Sequence, residues 1–153
     1  MSLFSIYELM DEKKTYQKAC IGIVKKRVYA TIEGLGIKVD ENPNFDWYYG
    51  IIDLEFWLKK YVDADCVAWI RKNIHPLDIV FRLAEDYGIV LLNGGGFEAP
   101  DWSVRVSFAN LDDHVYDDIG RALRAVGRSY REQYDASKRK ASKAKGQTAP
   151  KKR

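Results

Sequence analysis

The chain has 153 residues, 46% of them hydrophobic and 31% charged, enough for one domain with a core of its own. No apolar run approaches the roughly 18–20 residues of a membrane span, and no secretory leader pattern is visible, so a cytosolic protein with no membrane partner is expected. The net charge of +3 hides a segregation: residues 137–153 hold eight basic and no acidic residues, and 25 less these eight leaves 17 basic against 22 acidic in the rest.

The N-terminal stretch enters a helical pattern without a cap sequence. Phe4, Tyr7, Met10, Tyr16, Cys20, Ile23, Val24 and Ile32 fall at helical spacings, and Gly34 and Gly36 end the run. One helix of about thirty residues is expected, well above the usual length near 11–12. Its abrupt start reads as a linker helix with its upstream half missing, and the chain as a piece of a longer protein. Cys20 and Cys66 sit inside apolar patterns without metal-ligand spacing and are expected to be buried thiols in a reducing compartment.

Asp40–Asp46 is a polar turn. Trp47–Leu58 alternates, with Ile52, Leu54 and Phe56 opposed to Asp53 and Glu55, and predicts a half-buried strand. A short helix follows over Asp63–Asn73, with Val67 and Ile70 inward. His75-Pro76 opens another, with Leu77, Val80, Phe81 and Ala84 as its buried face and Gly88 as its stop. Ile89–Leu92 reads as a fully apolar strand. After the glycine turn, Trp102, Val104, Val106 and Phe108 point one way along a second strand while Ser103, Arg105 and Ser107 point the other. Asn110 or Asp112 caps the last helix, whose stripe is Tyr116, Ile119, Leu123, Val126 and Tyr130. The lysine-rich end has no periodicity and predicts disorder. These elements give an α+β fold, a small sheet packed with helices. The expected division is a linker helix over 1–36, an α/β domain over 37–135 and a basic tail over 136–153.

Arg105 is the residue with the sharpest chemistry. A mid-strand arginine backed by an apolar face aims its guanidinium at one place, and such a fork grips a carboxylate by two parallel hydrogen bonds. An ion pair inside the fold is the competing use of the same side chain. Gly94-Gly95-Gly96 lacks the following Lys-Ser/Thr and helix of a phosphate loop, and reads as a strand-to-strand turn. His75 and His114 lie beside helix starts with no partner at ligand spacing, so no metal site is expected. Asp112-Asp113 and Asp117-Asp118 suit a helix beginning rather than acid–base work. Tyr48 and Tyr49 suit edge packing or the lining of a cleft. The tail could neutralise phosphates, but no aromatic accompanies it and nucleic acid is not the expected partner.

The segments FRLAEDYG, IVLLNGGGF and SVRVSFANL resemble the C-terminal small domain of fold type I pyridoxal-phosphate (PLP) enzymes. LLNGGGFEAPDWSVRVSFANL is most similar to the bifunctional aspartate aminotransferase/L-aspartate beta-decarboxylase branch, and the resemblance extends from Phe4 to about Tyr134. It implies that Arg105 matches the arginine that clamps the substrate α-carboxylate. It also implies an amino-acid or dicarboxylate substrate, PLP in the parent enzyme, a PLP-binding large domain as partner, and a homo-oligomer. The family's Schiff-base lysine and phosphate cup belong to that large domain, which no segment here provides, so neither catalysis nor PLP binding is expected of this chain alone. The alternative expectation is a non-enzymatic α+β interaction module whose basic tail recruits a polyanion.

Overall fold

The computed structural model describes residues 3–10, 14–38, 44–45 and 47–147. In chain order these form α1 (Leu3–Met10), α2 (Thr15–Leu35), β1 (Tyr49–Asp53), α3 (Leu54–Tyr61), α4 (Ala64–Asn73) and α5 (Asp78–Tyr87). They continue with β2 (Leu92–Asn93), a 3₁₀ turn over Gly94–Phe97, β3 (Ser103–Ser107) and α6 (Val115–Gln147). The three strands make one antiparallel sheet in the order β1-β3-β2. This is the α+β architecture expected from the sequence.

Helix α6 is the spine of the fold. The expected stripe of Tyr116, Ile119, Leu123, Val126 and Tyr130 is fully buried, and α2, α4 and α5 all pack along it. Its crossing with α2 is close because glycine faces glycine. A Cβ on Gly34 would lie 2.6 Å from the Asp117 carbonyl oxygen, and one on Gly120 would meet the Thr31 carbonyl and lie 2.7 Å from the Leu35 nitrogen. The Thr31 hydroxyl, itself buried, donates across the crossing to the Tyr116 carbonyl at 3.0 Å. Burial and the Asp78 carboxylate, 2.7 Å from its hydroxyl, push the Tyr130 phenol well above its ordinary range.

Several expectations need correction. The single N-terminal helix is two, because Lys14 takes a left-handed conformation (φ 51°) at the start of α2, which breaks the periodic run. Gly36 closes α2 in the left-handed region as expected. Residues 47–58 are not one strand. Asp53 ends β1 by capping α3, its side chain accepting from the Phe56 nitrogen at 2.8 Å. Leu54, Trp57 and Leu58 then face inward at helical spacing, Phe56 faces outward, and Glu55 pairs with Lys59 one turn on at 2.7 Å. The inward face of α5 is Ile79 and Leu83 rather than Phe81, which is 60% exposed. Residues 89–92 are not a fully buried strand: β2 is two residues long and Val90 is 79% exposed. Cys66 is buried, and that burial raises its thiol pKa, but Cys20 lies on the surface. Finally α6 runs on to Gln147, its alanines, lysines and arginines being good helix formers. The rest of the tail, and the polar turn around Pro43, lie outside the described residues.

Candidate functional site

The sheet has one finished face and one bare face. On β3, Val104 and Val106 are buried against the helices, as the alternation predicted. Ser103, Arg105 and Ser107 point to the other side. The register sets Tyr49 opposite Ser107 on β1, and both Ile51 and Leu92 opposite Arg105. Directly opposite residues share a face, so Arg105 stands in the middle of the bare side. Its rim is apolar and exposed: Tyr49, Ile51, Val90, Leu92, Phe97 and Leu111.

The guanidinium of Arg105 is clamped between two rings. Its central carbon lies 4.0 Å from the centroid of Tyr49 and 4.3 Å from that of Phe97. Each such contact contributes about 0.5–1 kcal/mol at an exposed site, and together they hold the fork where strand geometry alone would leave four rotatable bonds. Phe97 is delivered by the 3₁₀ turn. The Asn93 side chain accepts from the Gly95 nitrogen at 2.6 Å, and Gly94 has no room for a Cβ against the Ser103 hydroxyl. The triple glycine is therefore a strand-to-strand connection that builds one wall of the arginine clamp.

Arg105 makes no ion pair with any described residue. It lines a cleft of about 290 Å³ together with Tyr49, Leu92, Ser107 and Asn110. Among the described residues the lining contains no carboxylate and no lysine. Ser107 adds a second polar group, and its hydroxyl oxygen is buried without a hydrogen-bond partner among the described residues. A positive fork, an unsatisfied hydroxyl and an apolar rim suit an anion with an apolar body. The clamp by Phe97 had no signal in the sequence, since it depends on how the turn folds back over β3, and the unsatisfied state of Ser107 had none because it depends on what its neighbours offer.

The remaining candidates stay apart from this cleft. His75 accepts from the Leu77 nitrogen at 3.2 Å through Nδ1 and shapes the turn into α5. His114 lies in the turn before α6. Asp113 is engaged by Arg27 at 2.7 Å and Lys26 at 3.3 Å, and these hydrogen bonds hold its carboxyl below the ordinary 3.8. Asp117 and Asp118 both pair with Arg121 on their own helix. Tyr48 meets Tyr49 edge-on, with ring centres 4.6 Å apart. No group of three metal-ligating side chains occurs among the described residues, and no described helix is long and apolar enough to cross a membrane.

No family model matches the chain. Among curated proteins, 136 of its residues, 89% of the chain, align at 38% identity with the bifunctional aspartate aminotransferase and L-aspartate beta-decarboxylase of a Pseudomonas species. The chain is a relative of that bifunctional enzyme. It spans 26%, about a quarter, of the relative's length. The resemblance carried by FRLAEDYG, IVLLNGGGF and SVRVSFANL is thus borne out. Enzymes of this kind use PLP in general, and the donor set allows the fit to be tested. Among the described residues the cleft offers no lysine for an imine and no acid to face a pyridine nitrogen, so these residues do not fit the cofactor.

Proposed function

We propose that this chain acts as the substrate-carboxylate-binding domain of an aspartate aminotransferase/decarboxylase, with Arg105 as the gripping residue. The observation that carries the reading is the clamped guanidinium, which makes no ion pair with any described residue, beside an exposed apolar rim. In this account the α/β portion over 37–135 is the domain and the preceding helices lead into it from the rest of the enzyme. PLP, held by a large domain, would supply the electron sink of the reaction. The share of the work done by this chain is positioning. Two parallel N–H···O bonds from a rigid fork fix the carboxylate in two dimensions, which determines the orientation of the amino-acid body presented beyond the cleft.

The bare face has a second consequence in the same account. Six exposed apolar side chains around a guanidinium that pairs with no described carboxylate form a surface suited to being covered by another protein surface. Closure of that surface over a bound amino acid would exclude water and strengthen the Arg105 contact. The competing idea, an interaction module with no substrate, expects Arg105 in an internal ion pair, and none is made with the described residues.

The test is a solution titration of the chain with L-aspartate, followed by backbone amide resonances of Arg105 and Ser107, with succinamide and sodium chloride as controls. Saturable shifts with aspartate, absent from both controls and lost in Arg105→Ala, are expected. Equal responses to aspartate and to chloride would sink the proposal.

A further inference from the structure

We infer that Ser107 is a second anchor for the carboxylate, its hydroxyl donating to the oxygen pair that Arg105 grips. The inference rests on the carboxylate-binding reading and extends it to a residue with no assigned role. Three observations carry it. First, the Ser107 hydroxyl is the one buried side-chain polar atom without a hydrogen-bond partner among the described residues. Leaving such a group unmet is unfavourable, so native folds leave few of them, and those they leave call for an explanation. Second, Ser107 and Arg105 alternate on one strand face and line the same cleft. Alternate residues of a strand are about 6.5–7 Å apart, so an arginine leaning along the strand can bring its fork over the neighbouring serine. Third, Ser103 is the internal control. It occupies the equivalent position on the other side of Arg105, yet its hydroxyl is satisfied, donating to the Pro100 carbonyl at 2.6 Å.

The chemistry of the two groups agrees. A carboxylate has about four lone-pair sites, and a bidentate arginine occupies two of them. A hydroxyl donor beside the fork meets a third. Among the described residues the cleft lining has no carboxylate to accept that hydrogen bond instead. The hydroxyl oxygen is buried, so donating to the carboxylate calls for a change of Ser107 rotamer, and serine populates all three staggered positions. The class of ligand is therefore a carboxylate that accepts from both side chains.

Two readouts test this together on the full chain. In the aspartate titration, Ser107→Ala should weaken binding about two- to tenfold, the loss expected of one hydrogen bond, while Ser107→Thr, which keeps a hydroxyl, should restore most of it. In thermal melts without ligand, Ser107→Ala should match or exceed the native Tm, because the variant removes an unmet polar group. Unchanged aspartate binding in Ser107→Ala would overturn the inference, and so would a clear fall in Tm, which would mean that the hydroxyl already serves the fold. If the native chain shows no aspartate response at Arg105, the carboxylate-binding reading itself fails, a result distinct from either outcome at Ser107.

Discussion

The two faces of β3 are built from neighbouring residues but to opposite ends. Val104 and Val106 are covered by helices and make one continuous core with Leu123, Trp57 and Tyr116. Arg105, one residue away from each valine, makes no ion pair with any described residue and lies between two rings on the opposite face, whose rim is exposed and apolar. The first face is finished by this chain. The second has unmet chemistry: an exposed apolar rim, an open cation and an idle hydroxyl. Local stability comes from one side of the sheet, and the binding function proposed here comes from the other.

The sharpest way to break that contrast is to place the same charge on each face. Val104→Asp puts an unpaired carboxylate into the core and should abolish the cooperative unfolding transition, since buried unpaired charges are among the few single changes that cost more than about 4 kcal/mol. Ile51→Asp, on the bare face, should shift stability by no more than about 0.5 kcal/mol. Urea titrations of both variants decide it, and similar losses would mean that the bare face is structural. A smaller effect is expected at the helix crossing. Gly120→Ala drives a methyl into the α2 backbone and should cost about 2–3 kcal/mol in the same titration, because backbone cannot rotate aside as a side chain can.

The smallest effect concerns acid. Arg27 and Lys26 hold Asp113 below its ordinary 3.8, so the folded form binds that proton less readily than the unfolded chain does. The contribution is present above 3.8 and is lost as pH falls through the lower folded value. Asp63, which caps α4 through the Cys66 nitrogen, is lowered in the same sense. Asp113→Asn should therefore flatten the stability profile below about pH 4 while leaving its neutral limb parallel to that of the native chain, as measured by thermal melts across pH.

The finished face was largely legible in the sequence. Period-two alternation from Trp102 to Phe108 and the long stripe of α6 each have one geometric solution once buried. The failures came where a short pattern fits two periods. Ile52, Leu54 and Phe56 alternate with acids over a stretch too brief to separate strand from helix, and only the capping bond of Asp53 decides between them. The split near Lys14 was hidden because apolar spacing continues across it. On the bare face Arg105 could be picked out, since a charged residue in mid-strand breaks the pattern. Its clamp could not, because Phe97 reaches it only through the fold of Gly94–Phe97. Nor could the idle state of Ser107, which is defined by what its neighbours fail to offer.

The central claim is that Arg105 grips the substrate carboxylate once the bare face is covered, and one kinetic comparison tests it most directly. The chain would replace the matching quarter of the Pseudomonas enzyme, and kcat/KM for L-aspartate would be measured with Arg105 and with Arg105→Ala. Truncating one partner of a desolvated charge pair costs about 2–5 kcal/mol, so a fall of about thirtyfold to several thousandfold is expected. An active hybrid whose kcat/KM is indifferent to Arg105→Ala would contradict the account.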